Sequence, residues 1–414
     1  MKDFVKIAFR NLLRYKRRTI LTGISILLGS CILTFGQALV DGVQNQLSLN
    51  IISADSGHIL VTKNNDLKKN DTTVQVGNWK KQLIENPDKI ENELAKQKGI
   101  NSISRRVYIN GMLSNDSKTS MEVVIGIEPD KEKDLFEKVI PVDEGSILKK
   151  DSNYPGIYIS HTVSDINNVG VGDSLKVITQ DINGKANVLE CCVQGIFKKS
   201  PLKEYYAYMM IGDAQKLGGI GSGITQFKIM LNKRDMSKST AINLQELFGE
   251  KYNLKFEGWE TAGGFLMGSV LIARAMVVIL CVVLFLVITT ILINTMSMAV
   301  FERTREIGTI MAIGTKRGQV IQLFLFESII LGVVATGLGV GIGSGISLLL
   351  AKVGIPAVTE SLALGFGADH AYPYLTSNTV VISLAIVLGL TIVSTLYPAF
   401  KASRLEPVKA IYYV

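Results

Sequence analysis

The sequence predicts a membrane α-helical protein with four transmembrane helices and a large extracytoplasmic α+β domain inserted between helices 1 and 2. Three observations predict it. Four charge-free apolar stretches, residues 19–39, 275–300, 328–351 and 380–398, approach or exceed the roughly 20 residues that a helix needs to cross a hydrocarbon core of about 30 Å. Lys and Arg gather beside only some of their ends, which orients the chain. The long polar interval after the first stretch mixes β-rich runs with helical ones.

Residues 1–18 interleave Phe4, Val5, Ala8, Phe9, Leu12 and Leu13 with Lys6, Arg10 and Arg14, the pattern of a cytoplasmic amphipathic helix lying in the membrane interface. Transmembrane helix 1 follows at 19–40. It is longer than a signal-peptide core, and Gln37, Ala38 and Leu39 make a poor cleavage site, so it reads as a retained anchor. Helices 2, 3 and 4 occupy 269–300, 320–351 and 378–400, a cytoplasmic segment fills 301–319, a short external loop 352–377, and a cytoplasmic tail 401–414. The basic residues Lys2, Lys6, Arg10, Arg14, Lys16, Arg17 and Arg18, then Arg303, Arg305, Lys316 and Arg317, then Lys401, Arg404 and Lys409 mark the cytoplasmic side. Much of the formal net charge of +8 is therefore membrane topology, and a nucleic-acid partner loses its main support.

Residues 41–268 are long enough for a full domain, placed outside the cytoplasm by this orientation. Strands are expected at 57–62, 121–127 and 224–231, and helices at 88–98 and 237–250. Gly99 is placed to end the first helix, and Asp181-Ile-Asn-Gly184 to turn a hairpin joining 174–179 to 188–197.

Catalysis is not indicated. No phosphate-binding G-x-x-x-x-G-K-[ST] loop occurs, so ATP-driven work would need a separate subunit on the cytoplasmic side. His58, His161 and His370 are scattered, no metal-ligand spacing is present, and Cys31, Cys191, Cys192 and Cys281 are placed for no long-range disulfide. The segment from Phe301 to Gly318 is the best candidate dock. Ile307, Ile310 and Met311 share a helical face beside Glu302, Arg303, Arg305 and Glu306, and Gly314 can end the helix; the same pattern also fits a solvated loop. Gly337, Gly341 and Gly345, four apart with Gly339 and Gly343 interleaved, are expected to let transmembrane helix 3 pack closely. Glu327 and Arg274 stand near helix ends, where long side chains snorkel to the interface.

Four motifs carry a family resemblance: Ala8-Phe-Arg-Asn-Leu-Leu-Arg14, Glu302-Arg-Thr-Arg-Glu-Ile-Gly308 with Ala312-Ile-Gly314, Gly126-Ile-Glu-Pro-Asp-Lys-Glu132, and Ser394-Thr-Leu-Tyr-Pro-Ala399 through Pro407-Val-Lys-Ala410. Over nearly its whole length the chain resembles the FtsX/MacB superfamily of ABC transporter permeases. The Gly126 motif and Gly57-His-Ile-Leu60 tilt the resemblance toward the lipoprotein-releasing LolC/LolE type. The resemblance implies a permease in the cell inner membrane, its large domain in the periplasm, that has no ATPase site and binds no cofactor. ATP and Mg would be bound by a partner ABC ATPase dimer, coupled through Glu302, Arg303, Arg305, Glu306, Ile307, Gly308, Met311, Ala312 and Gly314. It further implies a second permease, self or paralogue, a lipoprotein substrate taken from the outer leaflet, and a periplasmic carrier. By position, Leu39, Val40, Val43, Met267 and Leu271 would contact the acyl chains. The hairpin at residues 179–188 is shorter than the hook of the carrier-recruiting family member. The alternatives within the superfamily are MacB-like efflux of a drug or peptide and FtsX-like activation of a cell-wall hydrolase.

Overall fold

A computed structural model describes residues 2–14, 16–64, 79–149, 154–404 and 406. They fall into two compact units, one within 1–44, 270–355 and 371–414, the other within 45–269 and 356–370.

The first unit is helical. It holds α1 (Lys2–Arg14), most of α2 (Lys16–Asn50) and of α3 (Gly264–Glu302), α4 (Thr304–Ala312), α5 (Arg317–Val353) and α6 (Ser377–Ser403). Among the described residues four segments are long and apolar enough to cross a membrane, Thr19–Ser56, Arg274–Glu302, Arg317–Val353 and Ser377–Ser403. Helical backbone is what such stretches require, since lipid offers the peptide groups no hydrogen-bond partners. One apolar core joins five of the helices: Leu12 of α1, Ile26 and Leu33 of α2, Ile288 and Leu292 of α3, Leu331 and Ala335 of α5, Val387 and Leu390 of α6. Helix α1 thus packs on the bundle through Leu12 while Ile7 and Leu13 stay exposed.

Close packing on α5 corrects the expected glycine phase. Gly339 and Gly343 are buried against α2: a Cβ on Gly339 would lie 2.0 Å from Ser30 Oγ and 2.3 Å from the Leu27 carbonyl, and one on Gly343 2.7 Å from the Cys31 carbonyl. A Cβ on Gly337, Gly341 or Gly345 would meet nothing within 4 Å. At about 100° per residue, a step of two turns the helix by roughly 200°, so the two glycine sets lie on opposite faces. Spacing identified the periodicity and could not choose the face.

The second unit is α+β. Its strands are β1 (Ile59–Lys63), β2 (Ile100–Ser114), β3 (Thr119–Ile127), β4 (Val142–Gly145), β5 (Gly156–Ser160), β6 (Ser174–Gln180), β7 (Ala186–Phe197), β8 (Tyr206–Met210), β9 (Gln226–Leu231) and β10 (Leu254–Gly258). The long strand β2 serves two layers. Its first half pairs with β9 in an antiparallel sheet ordered β10-β1-β9-β2. Its second half pairs with β3 on one edge and β6 on the other, and the pairing runs on through β8, β5 and β7 back to β6, closing a ring of six strands. Parallel pairs β3/β8 and β5/β7 interrupt the otherwise antiparallel ring.

The expected strands fall on β1, β3 and β9, and the expected helices begin at Pro87 and Ser237. The first ends four residues earlier than the pattern suggested, at Leu94, and turns continue to Gly99 at φ +93°. Asp181 makes the hairpin turn: its Oδ1 accepts from the Asn183 and Lys185 amides at 2.8 Å each, and Gly184 takes φ +80°.

Candidate functional site

The segment expected to dock a partner folds as α4, and its amphipathicity is sharper than the sequence suggested. Thr304, Ile307 and Gly308 are buried and Met311 half-buried, the i, i+3, i+4, i+7 face of one helix. Beneath them lies an apolar seat made of Val300, Val320, Phe324, Ala399 and Ala402 from α3, α5 and α6. Glu302, Arg305, Glu306, Ala312 and Gly314 are exposed, and so are Ile310 at 45% and Ile313 at 83%. Ile310 therefore belongs to the outward face, not to the buried one with Ile307 and Met311. Gly314 closes the helix at φ +111°, its amide donating to the Met311 carbonyl at 3.1 Å. Arg14 of α1 reaches Glu306 at 3.1 Å, so the end of α1 borders this surface.

Arg303 does not belong to the exposed charged set. Its side chain is 4% exposed, and its Nη1 lies 3.2 Å from Oε2 of Glu327, which is 0% exposed. The expectation that Glu327 snorkels is overturned for the same reason. It sits ten residues into α5, too deep to reach the helix end, and is neutralised where it stands. Arg274, by contrast, is half exposed; its guanidinium lies 3.6 Å from Asp41 of α2, whose carboxylate also accepts from the Thr379 hydroxyl at 2.9 Å.

Of the residues expected at the acyl chains, Leu39, Val40 and Val43 are partly buried on α2 and Leu271 is 68% exposed on α3, one turn before Arg274. The side chain of Met267 lies outside the described residues, as do those of Lys2, Lys6, Arg18 and the whole motif Pro407 to Ala410. The first half of α3 is exposed on several sides, through Met276, Val278, Ile279, Val282, Val283, Leu286 and Val287, whereas Ile288, Leu292, Met296 and Ala299 further along are buried.

Sequence reasoning missed a buried charge cluster in the second unit. Beyond Asn50 the chain continues as a π-helical turn, Ile51–Ser56, ended by Gly57 at φ +64°. Arg106 of β2 and Lys228 of β9 donate to its free carbonyls, Arg106 to Ala54 and Lys228 to Ser53. Glu132 bridges both cations, Arg106 through Nε at 2.7 Å and Nη2, and Lys228 at 2.9 Å. Lys203 adds a pair with Asp55 at 2.6 Å. Cations at a helix C-terminus meet the negative end of its dipole. Burial alone would raise the Glu132 carboxyl, but Arg106 and Lys228 outweigh it and hold the pKa at about 2. Burial, then Arg106, lowers Lys228 to about 8. The signal was available: Arg106 and Lys228 interrupt apolar strand runs, and Glu132 ends one of the motifs.

A second buried carboxyl, Glu122 on β3, faces Gly111 of β2 and is 4% exposed. Burial raises it to about 7. Among the described residues no group of three or more His, Cys, Asp or Glu could hold a metal.

Two family models together cover most of the chain. Residues 19–246 match the family of MacB-like periplasmic core domains, and residues 262–407 the FtsX-like permease C-terminal family. The chain is 32% identical over 120 residues to the ABC transporter permease YtrF of Bacillus subtilis, covering 28% of this chain and 27% of YtrF. It is 36% identical over 122 residues to the macrolide export ATP-binding/permease protein MacB of Bdellovibrio bacteriovorus, covering 30% of this chain and 16% of that one. The aligned part is thus a small fraction of either relative. Among solved structures, the periplasmic region of MacB from Actinobacillus actinomycetemcomitans superposes at a TM-score of 0.33 with 16% identity, over 49% of this chain and 89% of that one. The extracellular domain of YknZ from Gram-positive bacteria does so at 0.32 with 15% identity, over 41% and 88%. Neither family description separates a lipoprotein-releasing branch. With more than half of its length inside the first family and its last three long helices inside the second, the chain belongs to the FtsX-like permeases that carry a MacB-like periplasmic core domain.

Proposed function

We propose that this chain is the permease subunit of an ABC export machine in the cytoplasmic membrane, driven by a separate ATPase that docks on α4. The observation that carries the reading is the division of α4 into a seated face and an outward face. Ile310 and Ile313 are exposed, with exposed Glu302, Arg305 and Glu306 before them and exposed Lys316 and Arg317 after them, an apolar patch flanked by charge as at protein interfaces. The basic residues beside α1, α4 and the end of α6 support a cytoplasmic position for that surface and an extracytoplasmic one for the α+β unit.

The substrate we infer is a lipid-anchored protein drawn from the outer leaflet. The exposed apolar outer half of α3, with Leu271 at its start and Leu39, Val40 and Val43 on α2, supports this, because acyl chains need a lipid-continuous apolar wall. Efflux of a drug or peptide is the second reading, favoured by relatives that carry the name of macrolide exporters. Purification from native membrane in mild detergent, with mass spectrometry of what stays bound, separates the readings. An ATPase subunit with acylated protein supports lipoprotein release, and an ATPase with an outer-membrane duct supports efflux. A cell-wall hydrolase in place of either points to signalling, and no ATPase at all refutes the export reading.

A further inference from the structure

We propose that the buried ion pair between Arg303 and Glu327 is the joint through which α4 moves α5, and that it acts in coupling, not in stability. The proposal rests on α4 being the ATPase dock.

Arg303 is the single residue between α3, which ends at Glu302, and α4, which begins at Thr304. Its backbone, at φ −109° and ψ 11°, leaves the helical region there, while its amide donates to the Val300 carbonyl at 3.3 Å and its own carbonyl accepts from Ile307 at 2.9 Å. It is a corner held on both sides. From that corner the guanidinium turns inward and grips both carboxylate oxygens of Glu327, at 3.2 and 3.5 Å.

Besides the exposed pair of Arg14 with Glu306, two kinds of contact hold α4 to α5 among the described residues. The apolar seat of Val300, Val320, Phe324, Ala399 and Ala402 is non-directional and ties no single atom of α4 to a single atom of α5. The ion pair cannot slide. Separating two buried charges leaves each uncompensated, which is strongly unfavourable. A push on α4 is thus relayed to α5 at Glu327, while the seat only keeps the two in register. If stability were the purpose, an apolar pair of similar volume would serve as well or better. Retention of charge at a corner under the dock points to a mechanical role.

The test uses the full chain with its co-purified ATPase in nanodiscs. Amide hydrogen exchange of α4 and α5 is compared without nucleotide and with ATP plus vanadate. In the native protein both helices change protection. In the doubly apolar Arg303→Met, Glu327→Leu variant the ATPase still binds and α4 still responds, but the α5 response falls by about fivefold or more, the low end of couplings between sites. The reversed pair Arg303→Glu, Glu327→Arg restores it, and its failure to do so in a folded complex also overturns the proposal. An α5 response in the doubly apolar variant equal to that of the native protein overturns the proposal. A native complex whose α4 does not respond to nucleotide overturns instead the docking reading on which it rests.

Discussion

At the scale of single residues, the structure separates positions that look alike in the sequence. Gly339 and Gly337 are both glycines in one apolar run, yet only Gly339 touches the Leu27 backbone. Gly339→Ala is expected to destabilise the helical unit by about 1–3 kcal/mol through overpacking. Gly337→Ala should be neutral or stabilising, because it removes backbone freedom without a clash. Thermal unfolding in detergent compares the two. The buried carboxyls differ in the same way. Glu132 has its pKa lowered from 4.5 to about 2, so the unfolded chain binds more protons between those values. Its contribution is complete above about pH 4.5 and is lost as pH falls toward 2. Glu132→Gln should abolish that dependence and loosen the turn at Ile51–Ser56, read as faster amide exchange there. Glu122 has its pKa raised from 4.5 to about 7, and here the folded state holds the extra proton. Stability should fall as pH rises from about 4.5 to 7, and Glu122→Gln should remove that fall while leaving stability at the acid end unchanged.

At the scale of elements, α4 forms where a helix was expected but divides its faces differently, with Ile310 outward and Arg303 buried. Ile310→Asp or Ile313→Asp should reduce co-purification of the ATPase with little change in melting temperature, since both side chains face outward. Ile307→Asp should lower the melting temperature itself, because it puts a charge into the apolar seat. The four long helices were legible because hydrophobic length is a one-dimensional signal, and the strands at β1, β3 and β9 because alternation is. The turn at Asp181 was legible from residue chemistry. The burial of Arg303 and Glu327 was not, since 24 residues separate them and nothing local tells a snorkelling charge from a paired one. Nor was the cluster at the turn Ile51–Ser56, where Arg106, Lys203 and Lys228 meet the turn and Glu132 bridges Arg106 and Lys228. Long-range charge pairing is the information that a periodic reading lacks.

At the scale of the whole molecule, the sequence carries no phosphate-binding loop, so the proposed export work needs energy from a separate ATPase, entering at α4. The most direct test places a photo-crosslinking amino acid at position 313 of the full chain and irradiates intact membranes. A covalent adduct containing a nucleotide-binding ABC subunit, lost when the crosslinker is moved to the buried position 308, is the predicted result. An adduct with no such subunit from position 313, in a complex that hydrolyses ATP, would contradict the claim.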